Sequence, residues 1–374
     1  MCNTSEQISC VIEQMQQFLD RMEKREFMNI KEGRSLLQET VVRNMPFCDE
    51  FIIVTKESYR NIVNGQMKAF QSLKYRVVLE GSPKGTAAAI MLGSQFCNQS
   101  ELVFVVTADN LIEGQEYKDA IIRAKELAKQ GSIVALGVKP AKKNSNFGYL
   151  LRDEENVLKF IEKIRLDDDE SFGYDDGFLW NSGMFLYRAG DLINAARAIC
   201  PELYDTCRMA KRKVAAIRRT VRFSQKVMKD IPQGSIERLI FEKLKDMKVV
   251  ETAFRWKDVG NVCDLDENSS VSHSENVLKN HCEDVMVINS ADRQLVVTND
   301  IQDVVVVNTE DAVYVSSKER VDDIKNIISE NKEKYENYFD YNRISYREWG
   351  IHELLNASDG YKVKKVTVFP GMSM

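Results

Sequence analysis

No stretch of this 374-residue chain approaches the ~20 consecutive apolar residues that a bilayer-spanning helix needs. The first residues, Met1-Cys2-Asn3-Thr4-Ser5-Glu6, carry neither a basic n-region nor a cleavable apolar stretch. No membrane partner is expected, and the location expected is the cytoplasm. The eight cysteines (positions 2, 10, 48, 97, 200, 207, 263 and 282) lie far apart and form no Cys-x-x-Cys pair. Free buried thiols are therefore expected rather than a disulfide framework. Histidine is scarce. His273, His281 and His352 are scattered, and the single close pair His281-Cys282 does not make a zinc site. Six prolines and 18 glycines are too few for a low-complexity chain. An excess of positive charge is missing as well: Lys and Arg number 52 against 57 Asp and Glu, for a net charge of −5. That balance argues against a general nucleic-acid binder.

What remains is ordinary globular material, 44% hydrophobic and 29% charged, and the length allows two or three domains. Two styles follow one another. From residue 35 to residue 138, helical patterns alternate with continuous apolar strands: EFIIVT (50–55), RVVLE (76–80), LVFVVT (102–107) and IVALGV (133–138). Helices are expected over 35–43, 59–73, 85–96 and 117–130. Such alternation predicts a mainly parallel sheet covered on both faces, with ligands at the carboxyl ends of its strands. From about residue 276 the strands shorten to VMVI (285–288), LVV (295–297), VVVV (304–307) and AVYV (312–315), spaced 8–10 residues apart. No long helix intervenes before 321–338, which suits a small stacked β structure. Residues 8–22 read two ways. They carry apolar side chains at helical spacing, with a possible capping box at Thr4 and Gln7, yet residues 8–12 serve equally as a short strand followed by a helix.

Several segments place polar chemistry at strand ends. EGSPKGTAAAI (80–90) sits between a strand and a helix, where Gly85 allows close approach and a helix N-terminus offers N–H groups to a nucleobase or phosphate. Asp109 follows a buried strand in TADN (107–110), a position suited to holding Mg²⁺ on substrate phosphates. Asp258, in WKDVG (256–260), is a second carboxylate after a strand-like run. Glu162 and Asn181 could hydrogen-bond sugar hydroxyls, and Lys163 could pair with a phosphate. Each segment also has a plain alternative: a turn, a helix cap, surface charge, or a loop for Asn181-Ser182-Gly183. The acidic run Asp167-Asp168-Asp169-Glu170 reads as a solvated loop rather than a metal site.

The order of these segments is informative. SLLQET (35–40), EGSPKGTAAAI (80–90), TADN (107–110), NFGYL (146–150), FIEK (160–163), FLWNSGMF (178–185), IPQGSIE (231–237) and RWKDVGN (255–261) follow one another along the chain. The series resembles mannose-1-phosphate guanylyltransferases, of the bacterial type fused to a mannose-6-phosphate isomerase. The resemblance implies a Rossmann-like nucleotidyltransferase α/β domain over 1–264 and a β-helix-like domain over 265–340. It further implies a remnant linker over 341–374 to an isomerase domain that does not follow, so no isomerase activity is expected. The implied reaction is GTP plus mannose 1-phosphate giving GDP-mannose and pyrophosphate. The resemblance implies that Asp109 and Asp258 hold Mg²⁺, and that Glu80, Lys84, Gly85 and Thr86 form the nucleotide side. Gly148, Tyr149, Glu162, Lys163, Asn181 and Gly183 form the sugar-phosphate side, and Lys24 and Arg25 neutralise phosphate charge.

The chain departs from that family at its start. A loop of the form Leu-Ala-Gly-Gly-x-Gly-x-Arg-Leu-Trp-Pro should follow the first strand, its N–H groups cradling the triphosphate. Here no glycine precedes Gly33, and Glu13, Asp20 and Glu23 occupy the stretch instead. The family's Pro-Lys-Gln-Phe is Lys24-Arg25-Glu26-Phe27, and its Arg-Asn before Thr-Ala is Lys84-Gly85; Arg is not geometrically equivalent to Lys on a phosphate. Three accounts stand open at this level. The first is an active transferase using Lys24, Arg25 and Lys84 on the phosphates. The second is a catalytically degenerate relative that binds a sugar nucleotide or serves as a structural partner subunit. The third is a truncated or rearranged reading frame. Homo- or hetero-oligomer contacts are expected through the C-terminal β strands, whose end edges need covering.

Overall fold

The computed structural model describes residues 8–13, 29–31, 34–140, 147–161, 177–214, 216–217, 219–259, 263, 276–289, 291, 293–309, 312–331, 333–335, 344–347, 349–358 and 360–374. The chain divides into two compact units. One comprises Met1–Gln16, Thr40–Arg60 and Phe70–Lys257, the other Gln17–Glu39, Asn61–Ala69 and Asp258–Met374.

The first unit is built on one large sheet. Its centre is β1 (Ile8–Glu13), which lies parallel to and between β2 (Glu50–Lys56) and β4 (Leu102–Thr107), with Val11 opposite Ile52 on one side and Val105 on the other. The strand reading of residues 8–12 is therefore the one realised, because Cys10, Val11 and Ile12 are fully buried between apolar neighbours. β3 (Tyr75–Glu80) adds outside β2, and β10 (Thr220–Phe223) outside β3, both parallel. Helix α1 (Leu36–Asn44) precedes β2. Helix α2 (Thr86–Ser94) follows β3, and its alanine-rich body is buried against β1 and β2. Helix α3 (Glu116–Lys129) leads from β5 (Asn110–Glu113) to β6 (Val134–Val138). The helix expected over 59–73, most of which falls to the other unit, is shorter, an α-helix over Arg60–Met67 with 3-10 turns at either end.

The other half of the sheet corrects the expectation of a mainly parallel arrangement: the sheet is mixed. β9 (Phe178–Arg188) runs antiparallel to both β4 and β6. β7 (Tyr149–Asp153) and β8 (Asn156–Ile161) form a hairpin whose turn places Glu154 at φ 50°. β8 pairs with β11 (Lys248–Thr252), β11 with β6, and β7 returns to β9. The strands β9, β6, β11, β8 and β7 thus close into a five-membered ring. A continuous apolar run reports burial on both faces but not direction, so FLWNSGMF reads the same in either orientation. The antiparallel course of β9 has a consequence for function: its first half arrives at the carboxyl ends of β4 and β6.

In the second unit, strands pair in parallel with a constant offset of 19 residues. β13 (Val277–Asn280) pairs with β15 (Val296–Asn299), and β14 (Met286–Asn289) with β16 (Val304–Asn308). Between them Glu283 bridges Gln302. The corners repeat too: His281 and Asp284 in one coil, Asp300 and Asp303 in the next, all take positive φ, a conformation that Asp and His adopt more readily than most residues. β17 (Val313–Ser317) adds antiparallel to β16. Of the helix expected over 321–338, the described residues show a 3-10 stretch Lys318–Asp323 followed by an α-helix Ile324–Asn331. A separate antiparallel sheet holds β18 (Ile344–Arg347), β19 (Gly350–Ser358) and β20 (Tyr361–Val368).

Candidate active site

Three segments of the first unit converge at the carboxyl end of the parallel strands. The first is the turn from β3 into α2. Glu80 ends β3 with 2% of its surface exposed. Gly85 caps α2 at φ +93°, and a Cβ there would meet the Gly234 carbonyl oxygen at 2.5 Å. The segment 231–237 straps this turn down. Gly234 donates its N–H to Lys84 O at 2.9 Å and accepts from Ala87 N at 3.2 Å, while Ile236 N donates to Thr86 Oγ1 at 2.8 Å. One N–H of the helix N-terminus is therefore already used by the protein. That favours a nucleobase-facing wall over a phosphate nest, which needs open N–H groups.

The second segment follows β4. Asp109 is half-buried and is fixed by what surrounds it. Asn110, 3% exposed, donates its amide to Thr107 Oγ1 at 2.5 Å and to the Ser182 carbonyl at 3.4 Å. Its own carbonyl accepts from Arg43 Nη1 at 3.2 Å. Arg43 also reaches Thr40 Oγ1 and lies over the Tyr117 ring. The Tyr117 hydroxyl donates to Asn44 Oδ1 at 2.9 Å. Burial pushes that hydroxyl far above its ordinary pKa, with the Arg43 guanidinium partly offsetting the rise.

The third segment is the first half of β9, where the register to β6 shifts between Asn181 and Phe185. Gly183 sits at φ +74°, and Ser182 Oγ donates to Leu136 O at 2.6 Å. The polar centre, for which a loop was the plain alternative, is thus a bulge inside a strand. It presents Asn181, whose Nδ2 donates to Glu237 Oε1 at 3.2 Å and whose Oδ1 accepts from Gly183 N at 3.1 Å. Asn181 N also donates to Gly148 O at 2.8 Å. Tyr149 is buried with Trp180 and Val138, and Phe147 and Trp256 pack on that cluster. The indole Nε1 groups of Trp180 and Trp256 are buried and have no hydrogen-bond partner among the described residues.

The structure therefore brings Gly85, Thr86, Gly148, Asn181 and Gly183 into one network with Glu237, and Asp109 into the adjoining loop. Lys84 Nζ donates to Lys229 O at 3.4 Å. Asp258 ends β12 (Arg255–Asp258), at the boundary of the two units. Lys24, Arg25, Glu162 and Lys163 lie outside the described residues, as does the expected helix after residue 13. Among the described residues no three His, Cys, Asp or Glu side chains gather as a metal cluster. An ion held by one or two carboxylates together with substrate phosphates is compatible with that. Sequence reasoning missed Glu237 and Asn110. Glu237 was present in the motif IPQGSIE with no role attached, and Asn110 hid behind Asp109 in TADN.

The described cysteines are free thiols, but only Cys10 and Cys207 are buried; Cys48, Cys97, Cys200, Cys263 and Cys282 are half-buried. No helix among the described residues is long and apolar enough to cross a membrane.

Comparison with known proteins follows the same lines. The family model described as nucleotidyl transferase matches residues 20–275. A mannose-1-phosphate guanylyltransferase of Salmonella montevideo is 30% identical over 367 residues, which cover 93% of this chain and 77% of that one. The crystal structure of a mannose-1-phosphate geranyltransferase from Thermus thermophilus has a TM-score of 0.70 at 21% identity, over 87% of this chain and 99% of its own. A mannose-6-phosphate isomerase from Helicobacter pylori has a TM-score of 0.63 at 29% identity, over 67% of this chain and all of its own.

Proposed function

The chain belongs to the nucleotidyl transferase family and, within it, to the mannose-1-phosphate guanylyltransferases, and we propose that it converts GTP and mannose 1-phosphate to GDP-mannose and pyrophosphate. An oxygen of the sugar phosphate forms a bond to the α-phosphorus of GTP. The bond from that phosphorus to the bridging oxygen of the β-phosphate breaks, and pyrophosphate leaves. The nucleophile already carries negative charge, so the work left to the protein is positioning and charge neutralisation.

The observation that carries this reading is the network joining the turn at Thr86 to the bulge at Asn181 through Glu237. It supports reading the turn as the nucleotide side and the Asn181 amide as the sugar side, because both lie at the carboxyl end of the parallel strands, where α/β sheets bind ligands. We assign Glu80, Lys84, Gly85 and Thr86 to the nucleotide. We assign Gly148, Tyr149, Asn181 and Gly183, with Glu162 and Lys163, to mannose 1-phosphate. Lys24 and Arg25 are assigned to the transferring phosphates. Asp109, and on its sequence pattern Asp258, are the carboxylates for Mg²⁺. The ion would neutralise charge on the phosphates during transfer. Asp109 suits it because Asn110 and Arg43 hold the Asp109 loop from behind.

Incubation of the purified protein with GTP, mannose 1-phosphate and Mg²⁺ should release pyrophosphate. Replacing GTP by UTP, CTP or dTTP should slow release. No release with any of the four nucleotides removes the reading.

A further inference from the structure

Thr86 and Asn181 lie on opposite sides of the proposed site, one on the nucleotide turn and one on the sugar-facing strand. The buried carboxylate of Glu237, 8% exposed, reaches both. Its Oε1 accepts from Asn181 Nδ2 at 3.2 Å, and its Oε2 lies 3.5 Å from Thr86 Oγ1. Donor and acceptor inventories settle how these groups face one another. A carboxylate only accepts, and a backbone N–H only donates. Asn181 is caught between one of each, Glu237 at its Nδ2 and Gly183 N at its Oδ1. Its amide is thereby held in one flip state, with one N–H and one lone pair left over. On the other side Thr86 Oγ1 accepts from Ile236 N at 2.8 Å, which leaves its hydroxyl proton to point at Glu237.

We infer that Glu237 is a positioning residue that couples the two halves of the site, an inference that rests on the proposed transferase reaction. Removing its charge acts at both ends. An amide in its place still accepts from Asn181 Nδ2 through its oxygen, because Gly183 N keeps the flip state, but that bond loses its charge and the amide's NH2 turns toward Thr86. The hydroxyl of Thr86 is released at the same time. A ligand that orders one side then no longer orders the other. The hydrogen bond at stake involves an ionised group, and its loss corresponds to roughly a tenfold change in binding.

The test varies both substrates in a pyrophosphate-release assay on wild type and Glu237→Gln. The KM for mannose 1-phosphate should rise about tenfold, with kcat changing far less. The factor by which one substrate alters the KM of the other should move toward one. A purely structural role would lower the melting temperature or the active fraction and leave both KM values in place. Glu237→Asp, which keeps a carboxylate, should recover part of the loss. In the double variant with Asn181→Ala the sugar KM should be no worse than in Asn181→Ala alone, because Glu237 acts through that amide. An unchanged sugar KM in folded Glu237→Gln, or additive losses in the double variant, overturns the inference while leaving the reaction intact. Should wild type release no pyrophosphate, calorimetric titration with GDP-mannose decides separately. Tenfold weaker binding by Glu237→Gln supports the coupling, and equal binding, or none to wild type, overturns it.

Discussion

Asn110, the first residue of β5, is tied to the bulge inside β9, far away in sequence: its side-chain amide donates to the Ser182 carbonyl at 3.4 Å. The same residue accepts through its backbone carbonyl from Arg43. Asp109, its neighbour, is therefore held from behind on one side and from β9 on the other. Asn110→Ala removes the tie without touching a substrate group. It should lower kcat/KM by about ten- to a hundredfold, since small displacements at a reacting centre cost that much. Steady-state pyrophosphate release measures it, and a wild-type value would show that the tie is idle.

Asp109 itself is the assigned metal carboxylate. Asp109→Asn keeps its size and removes its charge. Turnover should fall by at least about a hundredfold, the scale of losing one charge-stabilising group. The Mg²⁺ concentration for half-maximal activity should rise, while the melting temperature stays near that of wild type. Turnover that survives the substitution would move the metal elsewhere.

Gly85 tests the strap over the turn assigned to the nucleotide. An alanine there would need φ near +93° and would push its Cβ to within 2.5 Å of Gly234 O. Strain at positive φ alone costs about 1–2 kcal/mol, and the close approach to backbone adds to it. Gly85→Ala should unfold at lower temperature in a melting experiment and show a raised KM for GTP. Gly131, also at positive φ (+98°) but with nothing within 4 Å of a Cβ, is the control, expected to lose only the strain cost.

Much of the framework around the candidate site was legible in the sequence, and the reasons for the remainder are physical. The strands at 50–55, 76–80 and 102–107 announced themselves because strands buried on both faces must be apolar throughout. TADN and FLWNSGMF marked polar groups against such strands. Direction was not legible, since the apolar content of β9 is the same whichever way it runs. Glu237 was invisible for a different reason. Its partners Thr86 and Asn181 are 151 and 56 residues away, and no local spacing connects them. One signal was present and overlooked. VLKNHCEDVMVIN (277–289) and VVTNDIQDVVVVN (296–308) match at Val, Asn, Asp, Val, Val and Asn when offset by 19 residues, the same offset as their strand pairing. Reading only strand spacing gave 8–10 residues and missed the true repeat.

That repeat makes a prediction about the second unit. Equivalent asparagines stack: Asn308 Nδ2 donates to the buried Asn289 Oδ1 at 2.9 Å and to Gln294 Oε1 at 3.0 Å. Asn289 in turn donates to the carbonyls of Asn276 and Gln294. Asn308→Ala removes both donated bonds and leaves Asn289 Oδ1 with the Ala291 N–H as its remaining donor in the coil. It should destabilise the unit by about 1 kcal/mol, the net worth of an intramolecular hydrogen bond. Hydrogen exchange at β14 and β16 should speed up. Exchange as slow as in wild type would mean that the valines alone hold the coil.

Cys207 supplies a pH dependence with a definite sign. Burial, with the nearby Glu80 carboxylate and Cys200 adding to it, raises the thiol from 9.0 to about 12. The folded chain therefore holds this proton where the unfolded chain has released it. Its contribution to stability is present in full below about pH 9 and is lost progressively as pH rises from there toward about 12. Cys97, raised to about 11 chiefly by burial, acts in the same direction over a narrower window. The thermal midpoint followed by circular dichroism should decline as pH increases from 8 to 11. In Cys207→Ala the midpoint at pH 8 should be lower, because a buried group is lost, but the alkaline decline should be shallower. Parallel curves for the two proteins would show that this thiol does not set the alkaline limit.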